Sequence, residues 1–212
     1  MRQVPEDQPC FLCAPAADLI YASSEDAFAL CGLGPIVPGY SLVATKQHTA
    51  SAADAIADAT GLLPFAEQIR EFLANKFGTC LITEHGRVPV CFDPSGTSDP
   101  HCYHSHFLLF PGVPDVFQAA KSHFAEVRSA TSLAGALELA AESKDYFLMS
   151  PSRTEAHVMS RPGRIIRQFA RVLVADAIGY PQRANWRRFP DRESCVAAAK
   201  SLRNLHSGGS AA

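Results

Sequence analysis

Residues 102–110, which read CYHSHFLLF, constrain the fold more than any other segment of the chain. Their first part alternates between two sets of residues, and their last part is continuously apolar. Side chains two residues apart on a strand share one face, so the pattern predicts that Cys102, His104, His106 and Leu108 lie together. The apolar end predicts that this strand enters a core. We therefore expect a buried strand that carries two neighbouring imidazoles.

The rest of the chain alternates between short β-type runs and segments of helical period. Strands are predicted at residues 19–23, 40–45, 79–83, 146–149 and 156–159. Helices are predicted around residues 64–77, 133–140, 165–173 and 195–205. No internal repeat is visible in the sequence. Together these elements predict an α+β fold, with an antiparallel sheet and helices packed on it.

Composition excludes several classes of protein. The chain has 212 residues, of which 47% are hydrophobic and 19% are charged, so it is able to bury a sizeable core. A net charge of −2 and a pI near 6.4 give no general attraction to nucleic acid or to an anionic membrane. No apolar run is long enough for a membrane span, and residues 1–9 do not resemble a secretory signal. The prediction is a soluble cytoplasmic protein that takes a small-molecule substrate.

Cysteine and histidine supply the candidate chemistry. Seven cysteines, an odd number, do not predict the disulfide framework of a small secreted protein. Cys10 and Cys13 form a CxxC pair, and with His48 and His104 they make a Cys₂His₂ set that suits tetrahedral zinc. The alternatives are a redox pair or two ordinary thiols. The imidazoles of His104 and His106 suit metal binding, phosphoryl transfer or acid/base work, or are two core or surface histidines.

The order of these motifs resembles the histidine triad (HIT) superfamily of nucleotide hydrolases and transferases. The matching text is the CxxC pair, then residues 34–48 (GPIVPGYSLVATKQH), then residues 104–111 (HSHFLLFP). The resemblance implies a HIT-like domain over residues 8–115. A helical C-terminal extension over residues 116–206 and a flexible tail over 207–212 follow it. The extension is similar to that of an actinobacterial-type subgroup.

The resemblance also implies roles for individual residues. His106 is implied to be the nucleophile that attacks an α-phosphorus and forms a nucleotidyl-imidazole intermediate. One structural Zn²⁺ per chain is implied on Cys10, Cys13, His48 and His104. A homodimer and a nucleotide ligand are implied as well.

Three positions depart from the family pattern. Leu108 stands where the third histidine of the family belongs, Gly32 where an Asp commonly holds the ribose hydroxyls, and Glu84 where an Asn often contacts phosphate. Two compensations are predicted for the catalytic site. Either His101 takes over as proton donor, or Glu84 and His106 form a general acid/base pair for a substrate other than a nucleotide.

Three functions remain open from the sequence. The first is a nucleotidyl hydrolase or transferase that acts on a phosphoester or phosphoanhydride through a histidine nucleophile. The second is a repurposed HIT scaffold, a zinc-containing enzyme that acts on a small metabolite in a specialised biosynthetic pathway. The third is a zinc-stabilised binding protein without catalysis.

Overall fold

The fold is described from a computed structural model that covers residues 10–57, 61–86, 104–143, 145–162 and 165–208. Within these ranges no helix is both long and apolar enough to cross a membrane. His101 and Cys102 lie outside the described residues, and so does the end of the predicted tail, residues 209–212.

The described residues form eight strands and six α-helices. The strands are β1 (Ile20–Ser23), β2 (Ala27–Cys31), β3 (Ser41–Thr45), β4 (Cys80–Gly86), β5 (His106–Pro111), β6 (Phe124–Ala130), β7 (Tyr146–Ser152) and β8 (Glu155–Pro162). The helices are α1 (Ala52–Ala57), α2 (Leu62–Phe77), α3 (Phe117–Lys121), α4 (Leu133–Ala141), α5 (Phe169–Ala177) and α6 (Arg192–Gly208). A 3₁₀ turn, Pro181–Ala184, links α5 to α6.

All eight strands belong to one sheet, in the order β1-β2-β3-β5-β4-β7-β8-β6. Every pairing is antiparallel, which confirms the predicted α+β class. The two predicted strands of the C-terminal part join the same sheet as β7 and β8. Strand β6 was not predicted, because only Phe124 of this edge strand is buried and its residues do not alternate between apolar and polar.

The C-terminal extension is therefore not only helical, since it contributes three strands to the sheet. The pairing of β4 with β7 crosses the predicted boundary at residue 115, so the backbone ladder is continuous over that boundary. The predicted domain limits remain a proposal. Helix α6 runs through Gly208 and thus includes the first two residues of the predicted tail.

Helices lie on both faces of the sheet. On one face, Arg70 of α2 donates to the Ser150 hydroxyl at 2.7 Å, and the backbone N–H of Ala53 in α1 donates to the Tyr146 hydroxyl at 3.1 Å. On the other face, the ring of Phe169 in α5 lies 5.2 Å from that of Phe147. Since Tyr146 and Phe147 are consecutive on β7, their side chains point to opposite faces.

Arg171 attaches the C-terminal segment to the loop that follows β2. Its side chain is only 3% exposed, and its guanidinium donates to four backbone carbonyls. These belong to Ala184 at 2.8 Å, Gly34 at 2.7 Å, Arg183 at 2.8 Å and Leu33 at 3.4 Å. The planar fork of an arginine reaches several acceptors at once, which an ammonium does not. One buried side chain thus joins α5, the 3₁₀ turn and the loop after β2.

We predict that Arg171→Leu lowers the free energy of unfolding by about 2–4 kcal/mol, because buried carbonyls lose their donor. Arg153→Leu is the matched control. The Arg153 guanidinium is exposed and pairs with Glu71 at 3.1 Å, so its loss costs less than about 1 kcal/mol. Urea unfolding measures both variants. Equal stabilities of the two would contradict the role given to Arg171.

Candidate metal centre and histidine site

Four side chains from three separate segments meet at the end of β3. The Cys13 Sγ lies 3.1 Å from the His48 Nδ1 and 3.5 Å from the His104 Nδ1, and the Cys10 Sγ lies 3.3 Å from the His104 Nδ1. All four ligand atoms lie within 4.8 Å of one another. Among the described residues, this is a set of Cys and His side chains able to hold a metal ion.

Local structure brings each donor to this point. Cys10 and Cys13 are held by a tight turn in which the Cys13 N–H donates to the Cys10 carbonyl at 3.0 Å. His48 follows the end of β3, and His104 lies two residues before β5, which pairs with β3. Because β3 and β5 are neighbours, the donors that flank them come together.

The donor set fits a tetrahedral zinc ion. At Zn–S distances of about 2.3 Å and Zn–N distances of about 2.0 Å, a tetrahedral site has S–N edges of about 3.6 Å. The observed S–N distances of 3.1, 3.3 and 3.5 Å are close to that length. Burial and the neighbouring Cys10 thiol raise the pKa of Cys13, and a divalent cation would reverse that preference for the protonated thiol.

A backbone carbonyl orients the His104 ring. The His104 Nε2 lies 2.8 Å from the Thr45 carbonyl oxygen and therefore donates to it, which leaves Nδ1 as the lone-pair nitrogen that faces the cysteines. Burial lowers the pKa of His104 to about 4, although its bond to the Thr45 carbonyl works in the opposite direction. Such a bond at the distal nitrogen is the usual support of a metal-bound imidazole.

His106 is held by the backbone carbonyl of His104, two residues before it. Its Nδ1 lies 2.6 Å from the His104 carbonyl oxygen, so Nδ1 carries a proton and donates it. The other nitrogen, Nε2, is then the one with a free lone pair. Burial lowers the pKa of His106, and the bond to the carbonyl opposes that effect.

The predicted strand over residues 102–110 begins later than expected. Strand β5 starts at His106, so the alternation of a continuous strand does not govern His104. The structure separates the roles of the two imidazoles, because the His104 ring turns to the cysteines whereas His106 belongs to the sheet. Leu108, at the position of the missing third histidine, shares its face with His106.

The structure does not bring Glu84 together with His106. Thr83 pairs with Leu108 and so lies on the His106 face, which places the next residue, Glu84, on the opposite face. Glu84 is 3% exposed, and its carboxylate accepts from the Ala52 N–H and from the Tyr146 hydroxyl, each at 2.6 Å. Burial and this carboxylate raise the pKa of Tyr146. The contacts connect α1 with β4 and β7.

His85 was not among the catalytic residues predicted from the sequence. It follows Glu84 on β4 and therefore returns to the face of Thr83, Leu108 and His106. In this antiparallel register, His85 lies two residues after Thr83 on β4, and His106 lies two residues before Leu108 on β5. The two histidines are therefore opposite each other on neighbouring strands. The alternation of β4 was the available signal, because the strand predicted over residues 79–83 ended three residues before the observed end at Gly86.

The space beside Gly32 is filled by Tyr40. A Cβ atom at Gly32 would collide with the ring of Tyr40 and with the side chain of Leu42, so no larger residue fits there. Tyr40 is buried, and the Arg171 guanidinium stacks over its ring at 5.0 Å. The Cys195 Sγ of α6 donates to the Gly32 carbonyl at 3.3 Å. Tyr40 and Leu42 thus fill the space beside Gly32, where the resemblance leads us to expect a ribose-binding Asp.

We predict that the purified protein binds one divalent ion per chain at the cluster. Replacing both Cys10 and Cys13 with serine should abolish binding, measured by metal analysis, and should lower the melting temperature as chelator does for the unchanged protein, because structural zinc contributes to folding. Cys80→Ala is the control, since Cys80 is a buried free thiol outside the cluster. A double variant that retains its ion would contradict the assignment.

Comparison with known proteins places these features in context. No protein-family model and no curated protein matches the chain. A HIT-like protein from Bartonella henselae is 19% identical over 44% of this chain and 65% of its own, with a TM-score of 0.33. The C. elegans NitFhit protein is 22% identical over 45% and 22%, with a TM-score of 0.32.

The yeast Ap4A phosphorylase Apa2, in complex with Ap4A, is 14% identical over 82% of this chain and 78% of its own, with a TM-score of 0.41. The chain thus spans less than two thirds of the first two structures.

Proposed function

We propose that the chain is a HIT-like nucleotidyl hydrolase or transferase that acts on a phosphoester or phosphoanhydride, with His106 as its nucleophile. The observation that carries this proposal is the hydrogen bond from the His106 Nδ1 to the His104 carbonyl at 2.6 Å. It selects the tautomer in which Nε2 is unprotonated. A neutral imidazole with a fixed tautomer is a competent nucleophile near neutral pH.

The proposed reaction has two steps. The lone pair of the His106 Nε2 attacks the α-phosphorus, an N–P bond forms, and the bond from phosphorus to the leaving group breaks. The imidazole becomes cationic, and the His104 carbonyl stabilises the proton on Nδ1. Water or an acceptor then attacks the phosphorus and releases the imidazole. The carbonyl keeps the ring in one orientation through both steps.

Zinc is the proposed ion of the cluster, held by Cys10, Cys13, His48 and His104. Four protein donors fill its coordination positions, so its role is structural. The ion would fix His104, whose own carbonyl holds His106. The residues of the chain then keep the nucleophile in place, and the N-terminal CxxC turn is tied to the end of β3.

His85 is our proposed proton donor to the leaving group. It would take the role of the third histidine of the family, whose position is held by Leu108. It stands on the same face as His106, on the neighbouring strand, and its exposure is intermediate. His101, the donor predicted from the sequence, remains the alternative. Glu84 is assigned a positioning role only, since its carboxylate faces α1 and Tyr146.

A second candidate function rests on the closed space at Gly32. With Tyr40 in the place of a ribose-binding carboxylate, the site lacks one expected means of holding a nucleoside. This observation favours a repurposed HIT scaffold that acts on a small metabolite. The homodimer implied by the resemblance also remains a prediction.

We predict that His106→Ala lowers kcat/KM for an adenosine phosphoramidate by about 10⁴-fold or more, because the covalent route is lost. Metal content and melting temperature should stay unchanged, which separates chemistry from folding. His123→Ala is the control, since this exposed ring packs beside Phe169 and is not among the proposed site residues. If the unchanged protein binds no nucleotide at millimolar concentration, the second candidate is favoured, and a screen of small carboxylates and amines tests it.

We predict that His85→Ala lowers kcat by about 10²-fold or more on a substrate with a basic leaving group, because general acid catalysis is lost. A nitrophenyl ester of the same nucleotide has a leaving group that needs no proton, so its rate should change little. Equal losses on both substrates would contradict the acid role. A selective loss after His101→Ala, with no effect at His85, would give the role to His101 instead.

A further inference from the structure

The sheet contains a structural repeat that the sequence does not reveal. Strand β3, helix α2 and strands β4 and β5 form one unit, and β6, α4, β7 and β8 form a second unit with the same order of elements. Within the sheet each unit is arranged alike, and the two units meet through the antiparallel pair of β4 and β7. A local two-fold axis therefore relates the two units.

The axis passes through the pair of Glu84 and Leu148. With this choice, the strand registers make the last residues of three pairs of elements correspond: Phe77 with Ala141 at the ends of α2 and α4, Thr45 with Ala130 at the ends of β3 and β6, and Pro111 with Pro162 at the ends of β5 and β8.

His157 is the equivalent of His106 under this symmetry. The axis relates Thr83 to Phe147, and their partners on the next strands are Leu108 and Met159. Two residues before these partners stand His106 and His157. Each of the two histidines is also paired with a residue of the neighbouring strand on its other side in the sheet. This residue is Ala44 of β3 for His106 and Ser129 of β6 for His157. The second unit thus repeats the histidine on the same face of the sheet.

The two imidazoles differ in their hydrogen bonds. The His157 Nε2 lies 3.1 Å from the Glu155 Oε1, and its Nδ1 lies 2.9 Å from the Ser129 Oγ. A carboxylate only accepts, so Nε2 carries the proton and Nδ1 accepts from the Ser129 hydroxyl. His157 is 5% exposed, and the Phe117 ring stacks on it at a centroid distance of 4.0 Å. The imidazole is therefore held as a base between a hydroxyl and a carboxylate.

We propose that Ser129, His157 and Glu155 form a second, acyl-accepting site, in which the exposed Ser129 hydroxyl is the nucleophile. Serine hydrolases activate their serine with an imidazole whose other nitrogen donates to a carboxylate. Here the two nitrogens exchange places, since Ser129 meets Nδ1 and Glu155 meets Nε2, but the order of hydroxyl, imidazole and carboxylate is the same. Unlike His106, His157 has both nitrogens engaged by side chains. It therefore acts on Ser129 and does not itself attack.

The proposed step transfers an acyl group from a carboxylic ester. The Ser129 Oγ attacks the carbonyl carbon while its proton moves to the His157 Nδ1. The C–O bond to the alcohol breaks, and the alcohol leaves with that proton. Water then attacks the acyl-serine, gives its proton to the same nitrogen and releases the acid, which restores the hydroxyl. Glu155 is a positioning residue that stabilises the imidazolium.

An open cleft between α3 and the first residues of β6, on the face that Ser129 shares, indicates the class of ester. Its volume is about 480 Å³, and it is lined by Gln118, Lys121, Ser122, Phe124, Ala125 and Val127. Val127 is two residues before Ser129 on β6 and so shares its face. The Lys121 ammonium lies 6.0 Å from the centre of the Phe117 ring that covers His157. One cation among mixed polar and apolar walls fits a short-chain ester that carries an anionic group.

The first test uses a fluorophosphonate, in which serine displaces fluoride from phosphorus. We expect one adduct per chain, located on Ser129 by mass spectrometry, and none after Ser129→Ala. Ser160→Ala is the matched control, because the Ser160 hydroxyl donates to Glu126 at 3.0 Å elsewhere on the same pair of strands. His106→Ala should label normally, which separates this site from the proposed nucleotidyl chemistry.

The second test examines positioning and substrate. Glu155→Gln should slow labelling by about 10²-fold or more at an unchanged melting temperature, and Glu155→Asp, which retains the charge, should recover part of that rate. Lys121→Ala should raise KM for a succinyl nitrophenyl ester, but not for the neutral acetyl ester. An unlabelled folded protein, a label on another serine, or an equal rate after Glu155→Gln would overturn the proposal.

Discussion

The antiparallel pairing of β4 with β7 is the constraint on which the rest of the structure depends. It joins two units of the same topology into one sheet and gives each central strand two partners. The side-chain contacts across this junction are hydrogen bonds between residues that are far apart in the sequence. Tyr146 and Glu84 hold the start of α1, and Arg70 of α2 reaches Ser150 on β7. Since these groups are buried, the hydrogen bonds are needed to offset their desolvation.

Backbone carbonyls in series determine the state of the histidines near the metal centre. The Thr45 carbonyl accepts from His104, and the His104 carbonyl accepts from His106. Each bond assigns a tautomer, so one ring presents Nδ1 to the cysteines and the next retains a free Nε2. A carboxylate side chain in the same place would fix the tautomer only while it is ionised. A carbonyl does not titrate, and it is held by the β-ladder that places the imidazoles.

The sequence predicted the CxxC pair and the main strands because those signals are local, whereas His48 and His104 were added to the pair from donor type and from the resemblance. The CxxC spacing, the apolar period of α2 and the apolar end of β5 each require only a few neighbouring residues. The edge strand β6 was missed because only Phe124 is buried and the exposed residues do not alternate along it. The partner of Glu84 was not predictable, since the register of β4 decides its face, and a shift of one residue would have turned it toward His106. The same register brings His85 to the face of His106.

By itself, the sequence determined the chemistry that is available, because residue type defines which atoms ligate, donate or attack. It also determined the class of fold, because the period of apolar residues selects strand or helix. Only the tertiary structure decided which groups meet. Cys10 and His104 are 94 residues apart along the chain, and Ser129 and His157 are 28 apart, yet their side chains are in contact. Strand order and register are set by pairing across the whole sheet, and local sequence does not encode which strands become neighbours.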